Sequence, residues 1–280
     1  MMKQLNGKEV ANTLDQEMMQ RVSELKAKGI IPGLSVILVG DSGASSVYVR
    51  NKQKRAEKLG INFDLIHFES DVSQDTLLNK IEELNNDNTV DGFIVQLPLP
   101  DHINEDKVIK AIDSKKDVDG FSPENVGNLW IGQPNTLPAT AAGILMMLDF
   151  YNIEIEGKNA VVIGRSNIVG KPVSAMLLER NATVTMTHSR TKNLPEVTSQ
   201  ADILIVAIGK AKFVKSNFVK EGAVVVDVGM DRDEEGKLCG DVDYDDVSSK
   251  TSYISPVPGG VGPMTITALM DQVITLAERR

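Results

Sequence analysis

A short apolar run, a glycine-bounded turn and a helix start follow one another within Val161-Val-Ile-Gly-Arg-Ser-Asn-Ile-Val-Gly-Lys-Pro172. A parallel strand covered on both faces reads as such a run, and Ala160 to Ile163 fits it. Gly164 can take the backbone angles of a tight turn, Ser166 or Asn167 can cap, and Gly170 lets the following helix sit close to its strand. N–H groups gathered at that helix start would point at an anion, which is the logic of a dinucleotide pyrophosphate site. The spacing Gly164-x-Ser166-x-x-x-Gly170 departs from G-x-G-x-x-G, so an ordinary strand-to-helix turn is an equal alternative until the flanking pattern is read.

Around that turn, strands expected at Ala160–Ile163, Thr183–Thr187, Ile203–Ala207 and Val224–Val228 alternate with helices or tight turns, as a Rossmann-like domain requires. An earlier α/β layer precedes it. Val10, Leu14, Met18, Val22 and Leu25 recur at helical spacing over 7–28, and strands are expected at Leu34–Val39, Asn62–Phe68 and Gly92–Gln96. A loop over Gly40–Ala44 leads into a helix over 45–59; Leu77, Ile81 and Leu84 mark another helix, and Leu97-Pro-Leu-Pro100 stops the third strand. After a short helix over 105–112, Ser122-Pro-Glu-Asn125 reads as a capped helical turn, and 127–138, which lacks a period, as the crossing between domains. A helix over 140–151 opens the second layer. The last helix, to about Glu278, carries Ile266, Leu269, Val273 and Leu276 and is expected to pack back on the first domain. The expected organisation is therefore α/β in two domains, residues 1–138 with 265–280 and an inserted nucleotide domain over 139–264; a chain of 280 residues divides naturally that way.

A net charge of −9 argues against a nucleic-acid footprint or an anionic membrane surface. Cys239 is the sole cysteine, so an internal disulfide and a cysteine-rich metal site are excluded; no metal is expected, and a reducing compartment fits. Met1–Lys8 lacks the apolar core of a signal peptide, and runs such as Ile203–Ile208 fall far short of a membrane span. The expectation is a soluble cytoplasmic protein.

NAD enzymes commonly place an acid roughly 20 residues past the glycine turn to bond the ribose hydroxyls. This chain has His188-Ser-Arg-Thr191 there instead, and Arg165 inside the turn. Two guanidiniums and the Ser189 hydroxyl can hold a phosphate dianion that a carboxylate would repel, which favours NADP; the alternative is that Arg165 and Arg190 are solvated surface charges. Tyr48 and Lys52 share a helix face, and a lysine of lowered pKa can act as acid or base, although most such pairs are exposed faces. Gln96 ends the third strand, where an amide could bond both lysine and substrate. Asp117 or Asp119 could accept from an amidine-like heterocycle or cap a turn.

Tyr48-Val-Arg-Asn-Lys52, Val95-Gln-Leu-Pro-Leu-Pro100, Lys116-Asp-Val-Asp-Gly-Phe121, Gly164–Pro172, Thr187-His-Ser-Arg-Thr191 and Pro256-Val-Pro-Gly-Gly-Val-Gly-Pro-Met-Thr265 together resemble the bifunctional methylenetetrahydrofolate dehydrogenase/methenyltetrahydrofolate cyclohydrolase family. The match runs in order over nearly the whole chain. It implies a homodimer that oxidises 5,10-methylenetetrahydrofolate with NADP in a cleft between its domains, then hydrolyses the methenyl product to 10-formyltetrahydrofolate. By position, Lys52 matches the catalytic lysine, Tyr48 the tyrosine near the pterin, Gln96 the glutamine that tunes the lysine, and Asp119 the pterin-binding aspartate; Pro258 and Gly259 match the loop bordering the folate. Cofactor contacts are implied at Gly164, Arg165, Ser166, Ile168, Gly170, Ser189, Arg190 and Thr140. The chain departs from the family at Pro138-Ala-Thr-Ala141, where Pro-Cys-Thr-Pro is usual; Thr140 is expected as a helix cap, and loss of the second proline should loosen the helix start. Met230 is read as a packing variant. The competing readings are a dehydrogenase without cyclohydrolase activity, which Lys52, Gln96 and Asp119 argue against, a folate- or nucleotide-binding regulator, and an amino-acid dehydrogenase of similar plan.

Overall fold

The computed structural model describes residues 2–40 and 43–280, so Asp41 and Ser42 of the loop expected at Gly40–Ala44 lie outside the described residues. The chain runs through β1 (Lys3–Gln4), α1 (Gly7–Ala27), β2 (Gly33–Val39), α2 (Gly43–Leu59), β3 (Asn62–Phe68), α3 (Gln74–Asn86), β4 (Gly92–Val95), α4 (Glu105–Ala111), α5 (Pro123–Trp130) and α6 (Ala139–Phe150). It continues with β5 (Asn159–Ile163), α7 (Gly170–Glu179), β6 (Thr183–Thr187), α8 (Leu194–Thr198), β7 (Ile203–Val206), β8 (Val224–Asp227), β9 (Asp231–Arg232), β10 (Leu238–Cys239), α9 (Tyr244–Val247), β11 (Tyr253–Ile254) and α10 (Val261–Ala277). Two compact units result. One comprises Leu14–Ala139 with Leu269–Arg280, and the other the N-terminal stretch through Thr13 with Thr140–Ala268.

The first unit is built on a parallel sheet of order β3-β2-β4. Every residue of β2 is buried, as a central parallel strand requires. Ser73 caps α3 by accepting from the Thr76 N–H, which places Leu77, Ile81 and Leu84 on the face that packs with Ile37, Phe93 and Val95. Ser122 caps α5 and Pro123 occupies its first turn, as expected. α5 runs on to Trp130, into the segment read as the crossing between domains. The end of α10 joins this unit through Arg21 with Asp271 and Glu278, and through Arg280 with Asp91.

The second unit carries a six-stranded parallel sheet of order β1-β11-β8-β7-β5-β6, with Val161, Ile163, Leu204, Val206 and Val225 in its core. Residues 3–4, placed by the sequence in the first domain and read without a strand, form β1, which pairs Lys3 with Tyr253 and Gln4 with Ile254 at this sheet's edge. A two-residue ladder leaves no period in the sequence. Asn6 then starts α1 by accepting from the Lys8 and Glu9 N–H groups. α10 begins at Val261, inside the Pro256–Thr265 motif, because Pro263 is tolerated in a first turn where its missing N–H has no partner to lose. Among the described residues no helix is long and apolar enough to cross a membrane, and no group of three or more His, Cys, Asp or Glu could hold a metal ion.

Candidate active site

In the first unit the strand order turns at β2, with β3 on one side and β4 on the other, the place where open α/β sheets bind their ligands. Gln96 follows β4 directly, and its backbone N–H donates to the Ile37 carbonyl at 2.8 Å. Lys52, on α2, is 4 % exposed. Its Nζ donates to Gln96 Oε1 at 3.0 Å and stands 5.0 Å from the centroid of the Tyr48 ring one turn earlier. Gln96 Nε2 donates in turn to the Leu97 carbonyl at 2.8 Å, which orients the amide with its oxygen toward the lysine. The four-residue spacing of Tyr48 and Lys52 thus becomes a shared face, with Lys52 buried and Tyr48 half-buried.

Burial lowers the Lys52 ammonium to about 8, and the charge of Asp119 acts in the opposite direction. Burial likewise pushes the Asp119 carboxyl up to about 6, with Lys52 opposing the rise and Asp117 adding to it. Asp119 lines a small crevice with Leu97 and Phe121 and keeps part of its surface in solvent. The two aspartates have different surroundings. Asp117 is buried, its oxygens accepting from Gly120 N–H at 2.9 Å, Ser122 N–H at 2.7 Å and Asn125 Nδ2 at 3.0 Å. That carboxylate holds a loop. Lys52, Gln96, Tyr48 and Asp119 are brought together.

In the second unit the strand order turns at β5, flanked by β6 and β7. Gly164 follows β5 with φ +130, and a Cβ there would lie 2.3 Å from the carbonyl oxygen of Ala207 beyond β7. A Cβ on Gly170 would lie 2.5 Å from the Gly164 carbonyl oxygen. Both glycines are dictated by backbone approach. Ser166, one of the two caps expected, ties down the helix start: Val169 and Gly170 N–H donate to Ser166 Oγ at 3.1 and 3.2 Å, and Lys171 N–H to the Ser166 carbonyl at 3.0 Å. Ser166 therefore takes the N–H groups expected to meet an anion, while its own hydroxyl hydrogen can still be donated. Arg165, Ile168, Ser189 and Arg190 are exposed around the ends of β5 and β6. A tight turn closed by two glycines, beside two exposed guanidiniums and with no acid at the end of β6, fits a phosphorylated dinucleotide.

Thr140 is not the cap of α6, which begins at Ala139; it lies inside the first turn and its Oγ1 accepts from Thr265 Oγ1 at 3.2 Å. Ala139 and Ala141 are both buried. Pro258, after a cis Val257–Pro258 bond, is exposed, and Gly259 adopts φ +108; both belong to the second unit. Met230 is 61 % exposed and fills no core, contrary to the packing expectation. Asp227 was not singled out in the sequence: buried at the end of β8, it accepts from the Gly229, Asp241 and Val242 N–H groups, and burial pushes its carboxyl up to about 7. Its position in Asp227-Val-Gly229, closing a strand before a glycine, was the available signal.

A buried lysine on one unit and a glycine-bounded, acid-free strand end on the other each agree with comparisons to known proteins. Residues 5–119 match the family model for the tetrahydrofolate dehydrogenase/cyclohydrolase catalytic domain, and residues 138–280 that for the family's NAD(P)-binding domain. The bifunctional protein FolD of Listeria innocua is 57% identical over 275 residues, covering 98% of this chain and 97% of that protein. The crystal structure of bifunctional methylenetetrahydrofolate dehydrogenase/cyclohydrolase from Campylobacter jejuni superposes with a TM-score of 0.98 at 48% identity over 100% of both chains. The dehydrogenase-cyclohydrolase of Trypanosoma brucei, solved with NADP and an inhibitor, gives a TM-score of 0.94 at 36% identity over 99% of this chain and 98% of that one. With both domain models matched in order and relatives aligned end to end, the chain belongs to the tetrahydrofolate dehydrogenase/cyclohydrolase family.

Proposed function

We propose that this enzyme oxidises 5,10-methylenetetrahydrofolate to 5,10-methenyltetrahydrofolate with NADP, and hydrolyses the product to 10-formyltetrahydrofolate using Lys52 as general base and acid. The observation that carries the assignment is Lys52 itself, an amine 4 % exposed, drawn down to about 8 by burial, bonded to Gln96 and answered by Asp119. Neutral Lys52 accepts a proton from water as its oxygen bonds to the methenyl carbon. The resulting ammonium returns that proton to the ring nitrogen as the carbon–nitrogen bond breaks, and the hydroxyl proton leaves to solvent as the formyl carbonyl forms. Gln96 Oε1 keeps Nζ on the line of attack. Asp119 accepts from the pterin's amidine-like edge, and Tyr48 forms one wall of the pocket. Pro258 and Gly259 border the folate.

The oxidation asks for no side-chain proton, only a close, dry approach. NADP, when bound, would supply the hydride acceptor. Gly164, Ser166, Ile168, Gly170 and Thr140 line its path, and Arg165, Ser189 and Arg190 hold the 2′-phosphate. The enzyme works as a homodimer in the cytoplasm. β3 supports the dimer: it is an edge strand with Leu65 41 % exposed, and an unpaired edge is a template for a second copy.

Mixing purified protein with methylenetetrahydrofolate and either NADP or NAD, while following methenyl absorbance, tests the oxidation and the cofactor. Methenyl hydrolysis without NADP tests the second step. Loss of that hydrolysis in Lys52→Met, with NADP binding retained, is expected; normal hydrolysis by the variant refutes the mechanism.

A further inference from the structure

Asp119 stands in an irregular segment, so neither a ladder nor a helix fixes where its carboxylate points. Its neighbours do so instead. On one side Asp117 gathers Gly120, Ser122 and Asn125. On the other, the Val118 carbonyl accepts from Nε2 of Gln272 on α10 at 2.9 Å. The same Nε2 donates to the Leu137 carbonyl at 2.7 Å, and Gln272 Oε1 accepts from the Leu137 N–H. One primary amide therefore satisfies both backbone groups of Leu137 and one of Val118, three of the four bonds it can make. The two segments also meet directly: Gly120 has φ +67, and a Cβ there would lie 2.8 Å from both the Leu137 carbonyl carbon and the Pro138 nitrogen.

We infer that Gln272 is a positioning residue for the folate chemistry: by clipping Val118 to Leu137 it fixes the segment from which the Asp119 carboxylate faces Lys52. The inference rests on the assignment of Asp119 as the pterin-binding carboxylate and adds the residue that aims it. Helix packing does not account for these bonds. Leu269, Val273 and Leu276 already bury the apolar face of α10, whereas all three amide bonds run to irregular backbone outside it. Gln272 touches no reacting atom, so its removal should weaken folate binding through Asp119 and leave the nucleotide cradle alone.

The test uses the full-length enzyme, Gln272→Leu and Gln272→Met, each alone and combined with Asp119→Ala. Michaelis constants for methenyl- and methylenetetrahydrofolate and for NADP are measured together with thermal midpoints. Removing hydrogen bonds that aim a ligand group should raise the folate constants about tenfold, with the NADP constant unchanged. In the Asp119→Ala background the Gln272 substitutions should add less than about twofold, since residues acting through one another are not additive. Equal factors with and without Asp119, parallel rises in the folate and NADP constants, or failure of both Gln272 variants to fold would each overturn the inference in favour of a scaffold role. If Asp119→Ala itself leaves the folate constants unchanged, the assignment of Asp119 fails, and the inference with it.

Discussion

Replacing Lys52 with methionine keeps most of the side-chain volume and removes an ammonium that the fold dehydrates. The folded-state value of about 8 against the ordinary 10.5 means that holding the charge inside costs about 3 kcal/mol at neutral pH. The substitution strands Gln96 Oε1, which gives back about 1 kcal/mol, so Lys52→Met should be more stable than the parent by about 2 kcal/mol at pH 7. The sign of the pH dependence follows from which state binds the proton more tightly. Because the folded value lies below the unfolded one, the penalty is complete below pH 8 and fades as pH rises from about 8 to 10.5, where both states carry a neutral amine. The advantage of the variant should fade over the same window. In an Asp119→Asn background it should be larger, because the carboxylate that supports the ammonium is gone.

The sole tryptophan, Trp130, lies in the same unit as Lys52, so its fluorescence during urea unfolding reports on the right part of the chain. Midpoints are compared at pH 7 and pH 10.5, alongside methenyl hydrolysis, which should fall at least about a hundredfold. A variant less stable at pH 7, or stabilised equally at both pH values, would show that Lys52 is not held at an energetic cost for its chemistry.

Three further outcomes are expected. Hydrolysis of methenyltetrahydrofolate should rise with pH through about 8 as Lys52 sheds its proton, and Asp119→Asn should move that rise to lower pH; an unmoved profile separates the two groups. Arg190→Ala should raise the Michaelis constant for NADP more than that for NAD, and equal effects on both refute the phosphate assignment. Gly164→Ala must place a Cβ 2.3 Å from the Ala207 carbonyl oxygen at φ +130, so it should lower stability by about 2 kcal/mol or more and abolish NADP binding; a thermal midpoint equal to the parent's would contradict the closeness of β5 and β7.

What could be read from the sequence was whatever carries its pattern within one continuous segment. β3 at Asn62–Phe68 and β6 at Thr183–Thr187 fall where their composition places them, and the helix face of Leu77, Ile81 and Leu84 is buried as its spacing requires. Two-residue ladders escaped, because pairing Lys3 with Tyr253 depends on a partner about as far along the chain as one can be. The site divides along the same line. Tyr48 and Lys52 are one helical turn apart and announce a shared face, whereas Lys52 and Gln96 meet only because β2 and β4 are neighbours in the sheet.

Asp117 and Asp119 show how far residue type alone can carry the reading. Both are carboxylates in one short motif, and only the groups around them separate a loop tie from a carboxylate whose charge acts on Lys52. Gly120 three residues after Asp117 is the mark of a side chain closing its own turn, so that half of the distinction was present in local spacing. The other half was not: Gln272 reaches Val118 across 154 residues, and no local pattern encodes which backbone carbonyl an amide on a distant helix will find. Local sequence therefore names the groups that can do chemistry, while the contacts that aim them come from the tertiary fold. That is why the folate pocket should be sensitive to a glutamine that no motif contains.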